Sequence, residues 1–196
     1  MYPLLRFAKE MVKFRNAPRL DLLAPHVSTH RCWPWDLDPW IELNNGRTLT
    51  LYDLGRLPMA VRTGIVGTMR AKGWGITVAG NSVRYRRRIK AFDRFTMVSR
   101  VLGWDARFLY MEQSMWRRGE CCNHMLLRGA FTSAQGIVAP ADLVAAAKAH
   151  IREIPLEQAD AALAAADVPA PAPGWFAALI APLAAGGGSN SASMPT

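Results

Sequence analysis

The sequence predicts an α+β protein in which a strand, a helical region and four further strands follow one another. Residues 26–35 indicate a first strand that ends at Pro34, and residues 47–72 carry the helical region. Four strand-like runs separated by short turns come next, and turns of this length favour pairing of neighbouring strands as antiparallel hairpins.

The helical region is expected to be interrupted. The cluster Asn44, Asn45 and Gly46 supplies turn and capping chemistry, which predicts a helix from residue 47 to about residue 57. Pro58 suits the first turn of a second helical stretch over 59–72. Gly73 then stands where a glycine commonly ends a helix.

The strand-like runs occupy residues 75–90, 94–102, 107–116 and 121–132. Gly80 predicts a bend in the first of them, because glycine inside a strand often marks a bulge. The order of elements is therefore strand, helix and a four-stranded meander.

Length and composition predict one domain with appendages. A chain of 196 residues with 51% hydrophobic content can bury one full core. After residue 138 the composition shifts towards Ala and Pro, with a helix expected from Pro140 to Ile151. The predicted division is a basic N-terminal segment (1–25), a folded domain (26–138), a helical and Ala/Pro-rich extension (139–185) and a disordered tail (186–196).

The N-terminal segment has apolar residues at helical spacing, interrupted by lysines and arginines. This pattern predicts a basic amphipathic helix. Two interpretations remain open: the helix packs on the folded domain, or residues 1–16 contact a membrane surface peripherally.

Charge and cysteine content limit the partners and the compartment. The formal net charge of +9 favours anionic partners, although no nucleic-acid reader motif accompanies it, so nucleic-acid binding is not expected. The three cysteines form neither a C-x-x-C pair nor an even disulfide framework. Without a recognisable signal peptide or spanning segment, a cytoplasmic protein is expected.

The most informative segment runs from Asp36 to Arg56, DLDPWIELNNGRTLTLYDLGR. It resembles the strand-to-helix motif of hot-dog thioesterases of the 4-hydroxybenzoyl-CoA thioesterase-like superfamily, in which an Asp precedes an H-x-N-N-like element. The similarity is greatest to the branch of the mammalian thioesterase-superfamily-member-6 proteins. The runs at 84–87 and 103–112 also look like that branch, and the resemblance covers about residues 27–138.

The resemblance implies a curved antiparallel sheet wrapped around a central helix, two paired protomers and an active site at their interface. It also implies an acyl-CoA thioesterase, which releases a free acid and CoA without a metal or redox cofactor. A homodimer or tetramer is expected. Because a fold does not fix a function, a non-catalytic acyl-CoA-binding or interaction module on the same fold is the alternative.

Asp38 matches the catalytic carboxylate of the family, as nucleophile or as general base. On the sequence alone, Asp36 and Asp38 are equally well explained as solvated turn carboxylates. Glu42 stands where the family branch often has His, so no imidazole role carries over. Glu42 is either a second carboxylate of the site or a structural residue.

The start of the helix predicts the second half of the chemistry. Backbone N–H groups near Asn45, Gly46 and Arg47 have the orientation and dipole needed to polarise a thioester carbonyl. Gly46 permits close approach of a ligand. Asn44 and Asn45 are either substrate contacts or simply a turn and an N-cap.

A row of basic residues follows in the first strand of the meander. Because side chains alternate along a strand, Arg84, Arg86, Arg88 and Lys90 are expected to share one face. Such a row suits the phosphates of coenzyme A, with Arg86 and Arg88 as the predicted contacts. The other interpretation is a charged exposed strand that prevents aggregation.

Overall fold

Four helices and six strands make up the part of the chain that the computed structural model describes, residues 2–148. The helices are α1 (Leu4–Phe14), α2 (Asn45–Arg62), α3 (Ile65–Lys72) and α4 (Pro140–Lys148). The strands are β1 (His26–Arg31), β2 (Gly75–Tyr85), β3 (Arg94–Trp104), β4 (Leu109–Arg117), β5 (Glu120–Ser133) and β6 (Gly136–Val138). The remainder of the predicted extension and the tail at 186–196 lie outside the described residues.

The strands form one antiparallel sheet in the order β1-β3-β4-β5-β2, and β6 pairs with β5. This arrangement confirms the predicted hairpins between β3 and β4 and between β4 and β5. The expected hairpin between β2 and β3 is wrong, because β2 pairs with β5 and β3 pairs with β1. The reason is that β2 ends at Tyr85, which leaves a connection long enough to cross the sheet.

Helix α2 lies against one face of the sheet, and its break differs from the prediction. The helix continues through Pro58, which is buried inside it, and ends at Arg62, with Thr63 as its C-cap. The chain then passes through Gly64 in the left-handed conformation (φ 78°), so the second helix begins at Ile65. A buried proline costs one helix hydrogen bond but did not end the helix here, whereas a left-handed residue cannot continue it.

The close approach of α2 to the sheet depends on Gly55. A Cβ atom at this position would stand 2.7 Å from both Met97 Sδ and Ser99 Oγ on β3. The surrounding core is fully buried and rich in sulfur and aromatic groups: Tyr52, Met59, Phe95, Met97, Met115, Met125 and Phe131. This core accounts for the position of the helix on the sheet.

Two local predictions are confirmed in the elements that flank the core. Gly73 ends α3 in the left-handed conformation, with φ 65°. A register shift in β2 lies between Val78 and Gly80, where a bend is predicted.

A buried ion-pair cluster ties α1 to the start of α2. The Asp36 side chain is inaccessible to solvent, and its two oxygens contact Arg6 of α1 at 2.6 Å and Arg47 of α2 at 2.7 Å. The backbone N–H of Trp33 also donates to this carboxylate, at 3.0 Å. Asp36 therefore has a structural role, but as a buried ion-pair partner and not as the solvated turn carboxylate that the sequence left open.

Two histidines of β1 point into the layer beneath α1. His26 packs edge-on against Phe14, with ring centroids 4.4 Å apart, and its Nδ1 accepts from Arg62 at 3.0 Å. His30 Nε2 lies 2.8 Å from Ser28 Oγ. Burial is the main cause that lowers the pKa of both histidines to about 3, and nearby positive charges act in the same direction. Both rings are therefore neutral near pH 7.

The three cysteines are free thiols in or near the core. Cys32 and Cys122 are buried and Cys121 is partly buried. Burial raises the pKa of Cys32 to about 12 and that of Cys121 to about 11, and it also raises the pKa of Cys122.

We predict that Asp36→Asn destabilises the protein by about 3–5 kcal/mol, because it leaves two partly buried arginines without their carboxylate. The free energy of unfolding in urea measures the effect. Asp142→Asn, at an exposed position of α4, is the matched control and should change stability by less than about 0.5 kcal/mol. Equal stability of the two variants would contradict a structural role for the Asp36 cluster.

We also predict that stability falls as pH drops below about 6.5. The unfolded chain protonates its histidines near the ordinary pKa of 6.5, whereas the folded protein keeps His26 and His30 neutral down to about pH 3. Protonation then favours the unfolded state by up to about 1.4 kcal/mol per pH unit for each histidine. Between pH 6.5 and about 5, His30→Gln should reduce the slope of unfolding free energy against pH, and an unchanged slope would contradict this assignment.

Candidate active site

A polar cavity of about 160 Å³ lies beside the first turn of α2. Its walls come from the loop before α2, from α2 itself, from the end of β2 with the residues after it, and from β5. The lining residues are Glu42, Leu43, Asn45, Thr48, Tyr85, Arg86, Arg87, Arg88, Ile89 and Asn123.

The start of α2 lies beside the cavity, which Asn45 and Thr48 line, whereas Gly46 is not one of the lining residues. Asn44 is the N-cap, and its side-chain oxygen accepts from the N–H of Arg47 at 2.9 Å. Asn45 and Gly46 occupy the first two helical positions, where the helix itself provides no acceptor for an N–H group. Gly46 is exposed and has no side chain to block approach. Of the three predicted N–H donors, that of Arg47 is therefore used by the cap. The N–H groups of Asn45 and Gly46 remain as candidates to polarise a carbonyl.

Asp38 lies in the turn that precedes the helix. Its Oδ1 accepts from the N–H of Trp40 at 2.9 Å and from the N–H of Glu42 at 3.4 Å. Its own backbone N–H donates to the Glu42 carbonyl at 2.8 Å. These bonds fix the turn. Asp38 is not one of the residues that line the cavity.

Glu42 is the carboxylate that does line the cavity. Its Oε2 lies 2.7 Å from Nε of Arg88, and the Glu42 side chain is 29% exposed. The residue in the family's His position is thus placed where a carboxylate can reach a bound group. Its hydrogen-bonded turn links it directly to Asp38.

Arg47 points away from the cavity towards the Asp36 cluster. Its Nε contacts Asp36 Oδ1 at 2.7 Å, and its side chain is only 14% exposed. The contact of Arg47 with Asp36 has a structural role. The predicted contact of Arg47 with substrate stays a prediction.

The predicted row of arginines on one strand face is wrong, because β2 ends at Tyr85. The N–H groups of Arg86 and Arg87 both donate to the Cys122 carbonyl, at 2.8 and 2.9 Å. Successive N–H groups of a regular strand point to opposite sides, so the chain turns here. The side chains of Arg86 and Arg88 are exposed, and both residues line the cavity.

The sequence did not single out Tyr85 and Asn123, which line the cavity, or Tyr52, which contacts Asn123. Tyr85 Oη donates to the Asn45 carbonyl at 3.1 Å, and Tyr52 Oη donates to Asn123 Oδ1. Burial raises the pKa of Tyr52 well above its ordinary value, which keeps this phenol a donor. The sequence does carry a signal for Asn123, because this polar residue lies between two apolar positions that share its strand face. Its proximity to α2, however, depends on the order of strands in the sheet.

Comparisons with solved structures agree with the fold described above. The YbaW probable thioesterase of Escherichia coli superposes with a TM-score of 0.59 at 17% identity, over 65% of this chain and 99% of that one. The DHNA-CoA thioesterase of Staphylococcus aureus gives a TM-score of 0.55 at 13% identity, over 67% and 99% of the two chains. These likenesses confirm the hot-dog fold, with its curved antiparallel sheet around a central helix.

Similarity in sequence confirms the predicted branch. The chain is 34% identical over 110 residues to Protein THEM6 of Xenopus laevis, which covers 56% of this chain and 53% of that protein. The chain thus spans about half the length of the curated relative that it matches. The family model of the thioesterase-like superfamily matches residues 32–178, more than half of the sequence. The protein belongs to the thioesterase-like superfamily.

Proposed function

We propose that the protein hydrolyses an acyl-CoA thioester to a free acid and CoA at the cavity beside the start of α2. One observation carries the proposal: a carboxylate, the N-terminal end of a helix and three consecutive arginines meet in this cavity. The family membership supports the same chemistry. Each of the three features has a distinct task in thioester hydrolysis.

The start of α2 would polarise the thioester carbonyl. The N–H groups of Asn45 and Gly46 lie at the positive end of the helix dipole, where negative charge that develops on a carbonyl oxygen is stabilised. The exposed position of Gly46 leaves room for the acyl group to approach the backbone.

The carboxylates would supply the attacking oxygen. A general base takes a proton from water, the water oxygen bonds to the carbonyl carbon, and the C–S bond breaks with the electron pair leaving on sulfur, which is then protonated. Asp38 retains the role that the resemblance implies, either as this base or as a nucleophile. Glu42 is the second candidate because it lines the cavity, and its backbone N–H donates to the Asp38 carboxylate.

The arginines would bind the coenzyme. Arg86 and Arg88 are exposed at the rim of the cavity, where charged donors suit the phosphates of CoA. Arg88 also contacts Glu42, so a phosphate that binds Arg88 would weaken its hold on that carboxylate.

We predict that the wild-type protein releases CoA from acyl-CoA substrates and that Asp38→Asn lowers turnover by about 10²- to 10⁴-fold, the usual contribution of a general base. CoA release is measured with a thiol reagent across short, long and aromatic acyl-CoAs. Glu42→Gln tests the second carboxylate in the same assay. Asp142→Asn, which makes the same chemical change on α4, should retain full activity.

Each result assigns a role. Loss in Glu42→Gln alone would transfer the catalytic role from Asp38 to Glu42. No turnover with any substrate, combined with acyl-CoA binding by calorimetry, would support the alternative of a non-catalytic acyl-CoA-binding module. The Glu42–Arg88 contact favours that alternative, because it already engages the carboxylate that lines the cavity.

We further propose that two protomers pair through β2 and complete the site. Strand β2 ends the described sheet, and its side chains Ile76 and Val78 are 46% and 50% exposed. By register they stand opposite Phe131 and Gly129, on the face of the sheet that carries the core. An exposed apolar edge strand is a template for pairing. Tyr85 at the end of β2 lines the cavity, so a second β2 would bring partner residues close to it.

We predict that light scattering gives twice the 21.6 kDa chain mass for the wild type and the single mass for Ile76→Asp/Val78→Asp. Like charges brought together on paired edges destabilise the dimer. Ile137→Asp, at an exposed position on β6, should leave the mass of the assembly unchanged. A dimeric double variant would locate the interface elsewhere.

A further inference from the structure

Helix α1 places much of its apolar surface in solvent. Leu4, Leu5 and Val12 are 66%, 89% and 63% exposed, and Ala8 is exposed between them. Leu4 and Leu5 are adjacent, and Ala8 and Val12 follow Leu5 by three and then four residues, so all four lie on one side of the helix. We call these four residues the outer strip.

The orientation of α1 follows from the polar residues that it turns inwards. Arg6 pairs with the buried Asp36, and Glu10 is only 4% exposed. Because these two residues occupy the side towards the protein, the apolar half of the helix is rotated partly outwards. A helix that only served to cover the core would bury its apolar row and expose its charges.

The other part of the apolar half opens on a groove. Phe7 and Met11 line a groove of about 590 Å³ together with Leu57, Val61 and Val66. Phe7 and Met11 follow Leu4 and Ala8 by three residues, so the groove adjoins the outer strip. Strip and groove therefore form one apolar surface on α1.

This apolar surface has a basic border. Lys9, Lys13 and Arg15 are exposed on or just after α1, and Arg19 and Arg70 line the groove. The one acidic residue of α1, Glu10, is buried. With a net charge of +9 for the chain, the border favours a negatively charged partner.

We propose that the outer strip and the groove are a docking surface for an anionic lipid bilayer, with α1 lying in the plane of the interface. Apolar side chains would enter the lipid while the lysines stay at the level of the phosphates. No helix in the described residues is long and apolar enough to cross a membrane. The proposal rests on the outer strip and the groove, and it does not depend on the proposed hydrolysis.

Charge favours a bilayer over a second copy of the chain on this surface. In a two-fold contact between identical strips, the basic borders of both copies would come together, and like charges would oppose the contact. An anionic bilayer presents the same apolar interior with the opposite charge at its surface.

We predict that the protein cosediments with vesicles that contain phosphatidylglycerol, and less with vesicles of phosphatidylcholine alone. Leu5→Glu should weaken binding to the phosphatidylglycerol vesicles by at least about tenfold. The substitution removes a leucine that would enter the lipid and adds a negative charge that the anionic surface repels. Since Leu5 is 89% exposed, this substitution leaves the fold intact. Ile137→Glu, 55% exposed on β6, makes the matched change away from α1 and should bind like the wild type.

Three outcomes would overturn the proposal. The wild type does not sediment with the anionic vesicles, which includes the case in which another part of the chain covers the strip. The two glutamate variants lose binding equally, which would indicate a general charge effect. Leu5→Glu lowers the oligomer mass in light scattering while vesicle binding is absent in the wild type, which would assign the strip to a second copy.

Discussion

The arrangement of the site depends on one buried carboxylate. Asp36 is inaccessible to solvent, and it joins Arg6 of the first helix to Arg47 in the first turn of the central helix. The Asp36 carbonyl also accepts from the N–H of Asn44, the residue that caps that helix. The cluster therefore fixes both where the central helix begins and how the N-terminal helix is rotated. The cavity and the outer strip are two results of the same constraint.

A chain of buried polar groups complements this cluster further along the central helix. Gln113 donates to the Tyr52 carbonyl at 2.8 Å and to Ser99 Oγ at 2.7 Å, and it accepts from Arg56. Tyr52 in turn donates to Asn123 at the back of the cavity. Such bonds contribute little net energy but admit few alternative registers, because a shifted helix would leave buried donors without acceptors. The polar lining of the cavity is therefore held by the same contacts that set the helix on the sheet.

Local sequence signals predicted the elements well, because each depends on nearby residues. The cap at Asn44, the helix end at Gly73 and the bend near Gly80 all follow from side-chain chemistry within a few positions. The break assigned to Pro58 was wrong because burial of that proline within the core outweighs its local cost. The row of arginines was wrong because a turn after Tyr85 interrupts the alternation.

The site was predictable only in part for the same reason. Glu42 and Asn45, which line the cavity, belong to the continuous segment 38–46 that the sequence singled out. Tyr85 and Asn123 come to that segment through the sheet order, in which β2 pairs with β5 rather than with its neighbour β3. No periodicity within a strand specifies that choice, since it results from packing of the whole sheet around the helix.

The burial of the three thiols has a practical consequence for enzymology on this protein. Reaction with a disulfide reagent requires the thiolate, and a group with a pKa near 11 has roughly one thiolate in a thousand molecules at pH 8. Cys32, with a pKa of about 12, is still less reactive, and it is buried as well. The folded protein should therefore consume such a reagent slowly. Colour that develops rapidly in the presence of an acyl-CoA then reports free coenzyme rather than the protein, and a sudden rise in protein labelling reports unfolding.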